Sequence, residues 1–229
     1  MPASPQTIFV IIPCFNEASV IKDTVAGVLE KGYSVVVVDD ASTDETKQLL
    51  HGFPVHYLRH RINLGQGAAL QTGFDYAIRK GAAFLITFDA DGQHFSGDIA
   101  RMVETMEEKS VDIVFGSRFL EGSDSSVPPG RKWLLKTARY VNYFFSGILL
   151  SDAHNGFRCL SRKAAEKIRL RENRMAHASE ILIQVAKLKL TYAEYPVKIH
   201  YTAYSMGKGQ GNRHGLRILF ELILYKLFR

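Results

Sequence analysis

The sequence predicts an α/β protein with an open, mostly parallel sheet flanked by helices, in a single domain. Short runs of Val, Ile and Phe alternate with helix-like amphipathic segments along the first half of the chain. Continuous apolar strands separated by helices are typical of parallel sheets that are covered on both faces. The length of 229 residues suits one substantial domain and is short for two.

Five strands and four helices account for residues 7–118. The strands are predicted at TIFVII, YSVVVVDD, VHYLRH, AAFLITFDAD and VDIVFGSR. The helices between them are predicted from apolar residues that recur with a helical period, at ASVIKDTVAGVLEKG, ETKQLL, GQGAALQTGFDYAIRKG and SGDIARMVETMEEKS.

The second half of the chain is less regular. Residues 121–130 form a Gly-, Ser- and Pro-rich loop whose composition suits a mobile lid. The elements predicted after it are a helix over 131–150, a loop with a short strand over 152–161, a helix over 176–190 and a strand over 191–201.

The last segment, 214–229, is predicted as an amphipathic helix with a broad apolar face. Such a face packs on the core, on a partner or on lipid. The apolar stretch at 141–150 is about half of the roughly 20 residues needed to cross a bilayer, so we expect no membrane span there.

The charge and the cysteine content limit the expected partners and the expected cellular compartment. The net charge of +6 favours acidic partners, which are phosphates, nucleic acid or an anionic membrane. Cys14 and Cys159 are expected to be buried thiols in a reducing compartment. The apolar run at the N-terminus stops at Pro13 and lacks a basic start, so no signal peptide is predicted.

Polar clusters follow the predicted strands at one end. They are PCFNE after the first strand, DDAST after the second, DADGQH after the fourth and GSR after the fifth. Ligands of open α/β sheets bind beyond the carboxyl ends of the strands. We therefore expect a single active-site edge.

The turn sequences exclude two common nucleotide-binding folds. A dinucleotide-binding domain needs glycines after its first strand, and PCFNE has none. The GxxxxGK[ST] stretch of a P-loop NTPase is also absent from the sequence. The two glycines of NLGQG, before a predicted helix, are only weak evidence for a glycine-rich nucleotide-binding turn.

Asp89 and Asp91 indicate how a nucleotide is bound without a glycine cradle. A strand that extends to this point would send both side chains to the same side, because the strand period is two. Mg²⁺ prefers carboxylate and phosphate oxygens and commonly uses one or two protein carboxylates. The sequence therefore predicts a divalent-cation site, and the alternative is a solvated acidic turn.

Six motifs in order carry a family resemblance: IIPCFNE, VVVVDDAST, NLGQGAAL, DADGQH, GSRF and NGFR. Together they resemble the family 2 glycosyltransferases of the GT-A fold, and most closely the dolichyl- and polyprenyl-phosphate sugar synthases. The resemblance runs from about residue 7 to about residue 213. It implies a catalytic domain over 1–213, with 214–229 as part of it or as a peripheral membrane contact.

The resemblance implies a nucleotide-sugar pocket and a metal site. Asp89, Asp91 and Gln93 would be the metal ligands, with Mg²⁺ or Mn²⁺ bound. His94 is expected to support these ligands or to lie on the surface. Contacts to the nucleotide sugar are implied for Pro13, Phe15, Glu17, Val38, Asp40, Asp89, Ala90, Asp91, Gln93 and Lys208.

The resemblance also implies an acceptor-phosphate site. Arg118 and Arg131 would contact the phosphate and, with Asp91, form the catalytic set. Lys132, Tyr204 and Ser205 are the further acceptor-side residues implied. Lys132, Lys136 and Arg139 share one helix face by their spacing, and the alternative reading of this stripe is a solvated surface.

The implied reaction is the transfer of a hexose, with inversion, from GDP- or UDP-hexose to a polyprenyl phosphate. A lipid phosphate, largely dianionic at neutral pH, needs positioning rather than deprotonation. The second hypothesis is transfer to a saccharide hydroxyl, which needs a base such as Asp152 or Asp91. The third is an inactive transferase fold that binds membrane or nucleic acid.

The expected setting follows from the first hypothesis. We expect a cytoplasmic protein that is peripheral on the cytoplasmic face of a membrane, with a small membrane subunit as a further partner. Nucleic acid is not an expected partner.

Overall fold

The computed structural model describes residues 7–123, 139–140, 142–174 and 176–200. The strands are β1 (Ile8–Cys14), β2 (Ser34–Asp39), β3 (His56–Arg59), β4 (Phe84–Thr87), β5 (Ile113–Ser117), β6 (Arg158–Ser161) and β7 (Tyr192–Pro196). The helices are α1 (Ile21–Leu29), α2 (Thr46–Leu49), α3 (Gln66–Arg79), α4 (Asp98–Lys109), α5 (Arg162–Lys167) and α6 (His177–Lys187).

The strands form one seven-stranded sheet in the order β3-β2-β1-β4-β6-β5-β7. Strand β6 is antiparallel to both of its neighbours, β4 and β5. The other pairs, β1 with β2, β1 with β4, β2 with β3 and β5 with β7, are parallel. The predicted open and mostly parallel sheet is confirmed.

Two apolar layers cover the sheet. Alternate residues of β1 point to opposite faces, as the strand period requires: Ile11 joins the layer made with α3, α5 and α6. Ile12 joins the layer made with α1 and α4. Both side chains are fully buried, and this burial on two faces explains the unbroken apolar sequence of the central strands.

Two local predictions need correction. Helix α5 was not predicted, because RKAAEK is short and mostly charged; Ser161 caps it by accepting a hydrogen bond from Ala164 N at 3.2 Å. The helix expected over 131–150 ends early: residues 142–146 are helical. At Gly147, φ is +73° and the chain leaves the helix.

The glycines of NLGQG serve packing between chain segments. A Cβ atom at Gly65 would lie 2.3 Å from the carbonyl oxygen of Asn173, and one at Gly67 would lie 2.0 Å from that of Glu172. The Gly67 N–H donates to the Asn173 carbonyl at 2.8 Å. The segment at residues 172–173 thus packs directly against the start of α3 and takes the space there.

Several predicted elements lie outside the described residues. These are the loop beyond residue 123, most of 131–141, the strand end at 201 and the helix over 214–229. Within the part of the chain that the structure describes, no helix is both long and apolar enough to span a bilayer.

Candidate active site

The carboxyl ends of three strands meet at one edge of the sheet. Strand β1 pairs in parallel with β2, with Pro13 opposite Val38, and with β4, with Ile11 opposite Thr87. Strand β4 ends at Thr87, before the acid pair. Asp89 and Asp91 therefore lie in the turn beyond it, and strand alternation does not set their directions as the sequence analysis assumed.

Asp89 is held from three sides. Its Oδ1 accepts a hydrogen bond from Gln66 Nε2 at 3.1 Å, and its Oδ2 lies 3.0 Å from His94 Nε2. The carboxylate also packs directly on Gly156, where a Cβ atom would approach Oδ2 to 2.4 Å. The Asp89 side chain remains 31% exposed, so it opens onto the edge while its orientation is fixed.

His94 is a buried support for Asp89. Its side chain is 4% exposed, and its ring lies 4.8 Å from the Phe157 ring and 5.3 Å from the Phe88 ring, between centroids. Hydrogen bonds of this kind orient metal-binding carboxylates in proteins. Of the two positions expected for His94, the structure places it behind the acid pair.

Asp91 is held by Gln93. Gln93 donates its backbone N–H to Asp91 Oδ1 at 3.1 Å and its side-chain amide to Oδ2 at 2.8 Å. Burial raises the pKa of Asp91 to about 6, and the negative charges of Asp89 and Glu17 add to this effect. Asp89 and Glu17 are thus each close enough to repel the Asp91 carboxylate.

The pKa of Asp89 moves the other way. Burial alone would raise it, but the hydrogen bond from His94 and the positive charge of Arg158 bring the pKa of Asp89 below its ordinary value. The pair therefore presents hard, mutually repelling oxygen donors on one exposed edge. This donor chemistry fits Mg²⁺ or Mn²⁺, which would complete its coordination with phosphate oxygens and water.

No larger acidic cage is present in the described residues, where no group of three or more His, Cys, Asp or Glu is arranged to hold a metal ion. A two-carboxylate site is the arrangement that the described residues offer.

The residues expected around the nucleotide divide into two groups. Pro13, Val38 and Ala90 are buried, and the Ala90 carbonyl accepts a hydrogen bond from Thr24 Oγ1 at 3.2 Å. Phe15 is 43% exposed, and Glu17 is half-buried. Of these five residues, Phe15 and Glu17 are the two that keep appreciable accessible surface.

Asp40 already has several partners within the fold. It is buried; its Oδ1 accepts from Leu64 N at 2.9 Å and lies 2.7 Å from His60 Nδ1. Its Oδ2 accepts from Gly65 N at 2.6 Å. These contacts give Asp40 a clear structural role in holding the loop before α3.

Arg118 and Asp152 form a buried ion pair after β5. Arg118 donates through Nε to Asp152 Oδ2 at 2.6 Å and through Nη2 to Oδ1 at 2.8 Å. The Arg118 backbone N–H also donates to Oδ2, at 3.2 Å. Both carboxylate oxygens are therefore engaged, which makes Asp152 a poor proton acceptor for an incoming substrate.

Arg158 is a buried cation that sequence reasoning missed. It is 2% exposed, and among the described residues its Nε and Nη1 atoms have no hydrogen-bond partner. Burial lowers its pKa to about 10, against the opposing effect of the charges on Asp89 and Asp152. The signal in the sequence was an arginine in a predicted short strand, two residues after the glycine of NGFR.

The family description Glycosyl transferase family 2 matches residues 9–169. The chain belongs to this family. The resemblance found in the sequence is confirmed, and the protein is a glycosyltransferase.

Two relatives of this family 2 glycosyltransferase match nearly the whole chain, and a third matches about three quarters of it. It is 36% identical over 225 residues to the uncharacterized protein MJ1222 of Methanocaldococcus jannaschii, covering 96% of this chain and 93% of that one. It is 31% identical to the UDP-N-acetylglucosamine–dolichyl-phosphate N-acetylglucosaminyltransferase of Methanococcus voltae, covering 97% of each. The polyprenol monophosphomannose synthase of Mycolicibacterium smegmatis is 32% identical, over 72% of this chain and 65% of that protein.

Solved structures confirm the GT-A fold. Glucosyl-3-phosphoglycerate synthase of Mycobacterium tuberculosis, in complex with Mn²⁺, UDP-glucose and phosphoglyceric acid, superposes with a TM-score of 0.67 at 16% identity. The similarity covers 95% of this chain and 79% of that one. At this identity the likeness establishes the fold.

Five predicted site residues of this family 2 glycosyltransferase lie outside the described residues. They are Arg131, Lys132, Tyr204, Ser205 and Lys208. The structure brings together Asp89, Asp91, Gln93 and Glu17, with His94 in the supporting position that was one of its two expected places. It adds Gln66, Gly156 and Arg158, for which no role at the acid pair was expected.

Proposed function

We propose that the protein is a metal-dependent, inverting glycosyltransferase that moves a hexose-type sugar from a nucleotide diphosphate sugar to a polyprenyl phosphate. One observation carries the proposal: Asp89 and Asp91 repel each other on the sheet edge where β1, β2 and β4 end. Such a pair is stabilised by a divalent cation, and it lies where open α/β sheets bind ligands.

The donor half of the mechanism depends on fixed orientation. Asp89 and Asp91 would hold Mg²⁺ or Mn²⁺, which supplies charge neutralisation for the leaving diphosphate when it is bound. Gln66, His94 and Gln93 keep the two carboxylates in place. Preorganised ligands of this kind need no reorientation when the substrate arrives.

The acceptor half requires positioning and charge. A phosphate monoester has a second pKa of about 6, so at neutral pH it is a ready nucleophile that needs no base. Arg118, with Arg131 and Lys132, is the proposed source of positive charge. The bidentate contact with Asp152 fixes the plane of the Arg118 guanidinium, and the Methanococcus voltae relative, named for a dolichyl-phosphate acceptor, supports this acceptor class.

A second candidate is transfer to a saccharide hydroxyl. One observation favours it: Asp91 has a pKa of about 6, which is in the range of a general base. Against it, Gln93 engages both Asp91 oxygens, and Arg118 engages both oxygens of Asp152. The lipid phosphate, which needs no base, is the better supported acceptor.

The test supplies labelled UDP- and GDP-sugars with Mn²⁺, Mg²⁺ or a chelator. Transfer to polyprenyl phosphate that requires the cation is the expected result, and NMR of the product should show an inverted anomeric centre. Product on saccharide hydroxyls alone would establish the second candidate instead. Failure of any nucleotide sugar to react with either acceptor would refute both.

We further propose that the protein works at the cytoplasmic face of a membrane, with a small membrane subunit as partner. The support is the lipid phosphates in the names of two relatives, a dolichyl phosphate in one and a polyprenol monophosphomannose in the other. Reconstitution of the purified chain alone with vesicles tests the subunit: full activity without a partner would remove it from the proposal.

A further inference from the structure

Among the described residues between 139 and 149, four apolar side chains are exposed. Tyr140, Tyr143 and Phe144 have the i, i+3, i+4 spacing that places side chains on one side of a helix, and they are 55%, 49% and 72% exposed. Leu149, just after the helical residues, is 46% exposed. We name these four side chains the apolar face.

The polar residues of the same helix point inward. Ser179 of α6 donates its hydroxyl to Asn142 Oδ1 at 2.7 Å, and Asn142 Nδ2 lies 3.1 Å from His154 Nε2. Ser146 is buried and donates its hydroxyl to the Asn142 carbonyl at 2.7 Å. Rolling the helix to bury the apolar face would leave these buried polar groups unsatisfied, which is costly.

The chemistry of the apolar face matches an anionic lipid surface. Tyrosine is enriched at the headgroup level of membranes, where a ring can be buried while its polar tip stays wet. Arg139 places its guanidinium 4.8 Å from the centre of the Tyr140 ring. Residues 130–151 contain no Asp or Glu and four Lys or Arg, in a chain of net charge +6.

The apolar face adjoins the acceptor end of the site. Leu149 is close in sequence to Ser151, whose hydroxyl lies 2.6 Å from Ser117 Oγ at the end of β5. His154, which contacts the helix, follows Asp152 by two residues, and Asp152 binds Arg118. A surface that binds the apolar face would therefore lie near the Arg118–Asp152 pair.

We propose that Tyr140, Tyr143, Phe144 and Leu149 enter the headgroup region of an anionic membrane and turn the acceptor end of the site toward it. A polyprenyl phosphate keeps its hydrocarbon chain in the bilayer, so this docking brings the enzyme to its acceptor. The inference rests on the proposed function for the identity of the acceptor. Docking itself requires neither nucleotide sugar nor acceptor.

Vesicle flotation of the full chain tests the docking. The probes are vesicles of phosphatidylcholine mixed with phosphatidylglycerol, and vesicles of phosphatidylcholine alone. Tyr143→Ser combined with Phe144→Ser should lower binding to the anionic vesicles by about tenfold, because two apolar side chains leave the lipid. The wild type should bind the neutral vesicles more weakly than the anionic ones.

The matched control is Leu188→Ser combined with Tyr192→Ser. These side chains are 38% and 40% exposed and lie outside the apolar face, so binding should stay within about twofold of wild type. Unchanged binding by the Tyr143/Phe144 variant, equal losses in both variants, or no binding by the wild type would overturn the proposal. A wild-type dimer that becomes a monomer in the Tyr143/Phe144 variant would assign the apolar face to a second copy instead.

Activity assays separate this inference from the proposed function. The Tyr143/Phe144 variant should transfer sugar to a water-soluble, short-chain prenyl phosphate at the wild-type rate. Its transfer to a long-chain polyprenyl phosphate in vesicles should fall together with vesicle binding. If no prenyl phosphate is a substrate while the variant still loses vesicle binding, the proposed function fails and the docking face stands.

Discussion

The Asp89 carboxylate rests on the α-carbon of Gly156, so closely that a Cβ atom there would lie 2.4 Å from Oδ2 and 2.7 Å from Oδ1. Gly156 lies just before β6, the antiparallel strand that pairs with β4. Thr87, the last residue of β4, donates its hydroxyl to the Gly156 carbonyl at 2.5 Å. The absence of a side chain at position 156 is therefore what lets an acid occupy this place.

Gly156→Ala should displace Asp89 and impair cation binding. The backbone at Gly156 is tied to Thr87, so the Asp89 side chain is the part that must move. We expect a loss of kcat of about a hundredfold or more, as for other misplaced catalytic groups. Mn²⁺ titration by calorimetry and steady-state kinetics would measure it.

Gly27→Ala is the matched control, because a Cβ at this α1 position would meet only Ser96 Oγ, at 4.0 Å. It should keep wild-type kinetics and fold slightly more stably, since alanine is preferred in helices. Wild-type Mn²⁺ affinity in Gly156→Ala would show that the contact with Asp89 is not required.

Asp91→Asn should remove most of the cation affinity while stabilising the metal-free fold. Asp91 is repelled by Asp89 and penalised by burial, which together raise its pKa to about 6, so a neutral amide relieves a cost at neutral pH. Thermal unfolding with and without Mn²⁺ would show a higher Tm for the metal-free variant and a smaller shift on adding metal. The control is Asp75→Asn, at an exposed carboxylate that pairs with Arg169. A normal Mn²⁺-induced shift in Asp91→Asn would contradict the assignment of Asp91 as a ligand.

The sequence predicted most strands correctly but not all the contacts of the site residues. Apolar runs such as VVVV predict β2 because burial on both faces leaves a direct pattern. The placement of β6 between β4 and β5 leaves none, since it pairs Thr87 with Arg158, 71 residues away. Consequently, Gly156 could not be assigned to Asp89 before the structure was known. His94 is only five residues from Asp89 in the chain, and a supporting position was one of the two expected for it.

Asp40 illustrates the same limit for a single side chain. The resemblance of VVVVDDAST to the family implies a contact between Asp40 and the nucleotide base. What decides its surroundings is the course of the loop at Leu64 and Gly65, whose backbone N–H groups point at its carboxylate. Backbone direction 25 residues away is not encoded in a local motif.

The main expected effect of Asp40→Asn is therefore a lower free energy of unfolding rather than a higher KM for the nucleotide sugar. It weakens two charge-assisted hydrogen bonds to backbone N–H groups, which is worth about 1–3 kcal/mol in the free energy of unfolding. Urea unfolding would measure this loss, and the KM for the nucleotide sugar would measure any contact with the base. An unchanged stability with a strongly raised KM would instead favour the direct contact with the base.

Asp152→Asn separates the two acceptor classes. In transfer to a lipid phosphate, Asp152 only holds Arg118, and the amide keeps its shape and one acceptor oxygen. We expect activity within about tenfold of wild type and a loss of about 1–3 kcal/mol in stability, because a buried charge-assisted pair is weakened. In transfer to a hydroxyl with Asp152 as base, kcat would fall by about a hundredfold or more while KM stayed similar. Steady-state kinetics together with urea unfolding distinguish these outcomes.

His177 predicts a loss of stability toward acid pH. Burial, with the nearby charge of Arg158, lowers its pKa from 6.5 to about 4. Between these two pH values the His177 side chain is protonated in the unfolded chain and neutral in the folded chain. The neutral, buried His177 therefore contributes to the free energy of unfolding above pH 6.5, and this contribution is lost as the pH falls toward 4. Between pH 7 and pH 5 the loss amounts to about 2 kcal/mol.

Urea unfolding at a series of pH values would measure how steeply stability falls with pH. His177→Asn should flatten this slope, because asparagine does not titrate. Its amide can replace the Nδ1 hydrogen bond to the Arg174 carbonyl. His51→Asn, at an exposed histidine after α2, should leave the slope unchanged. An equally steep slope in His177→Asn would assign the acid sensitivity to other groups.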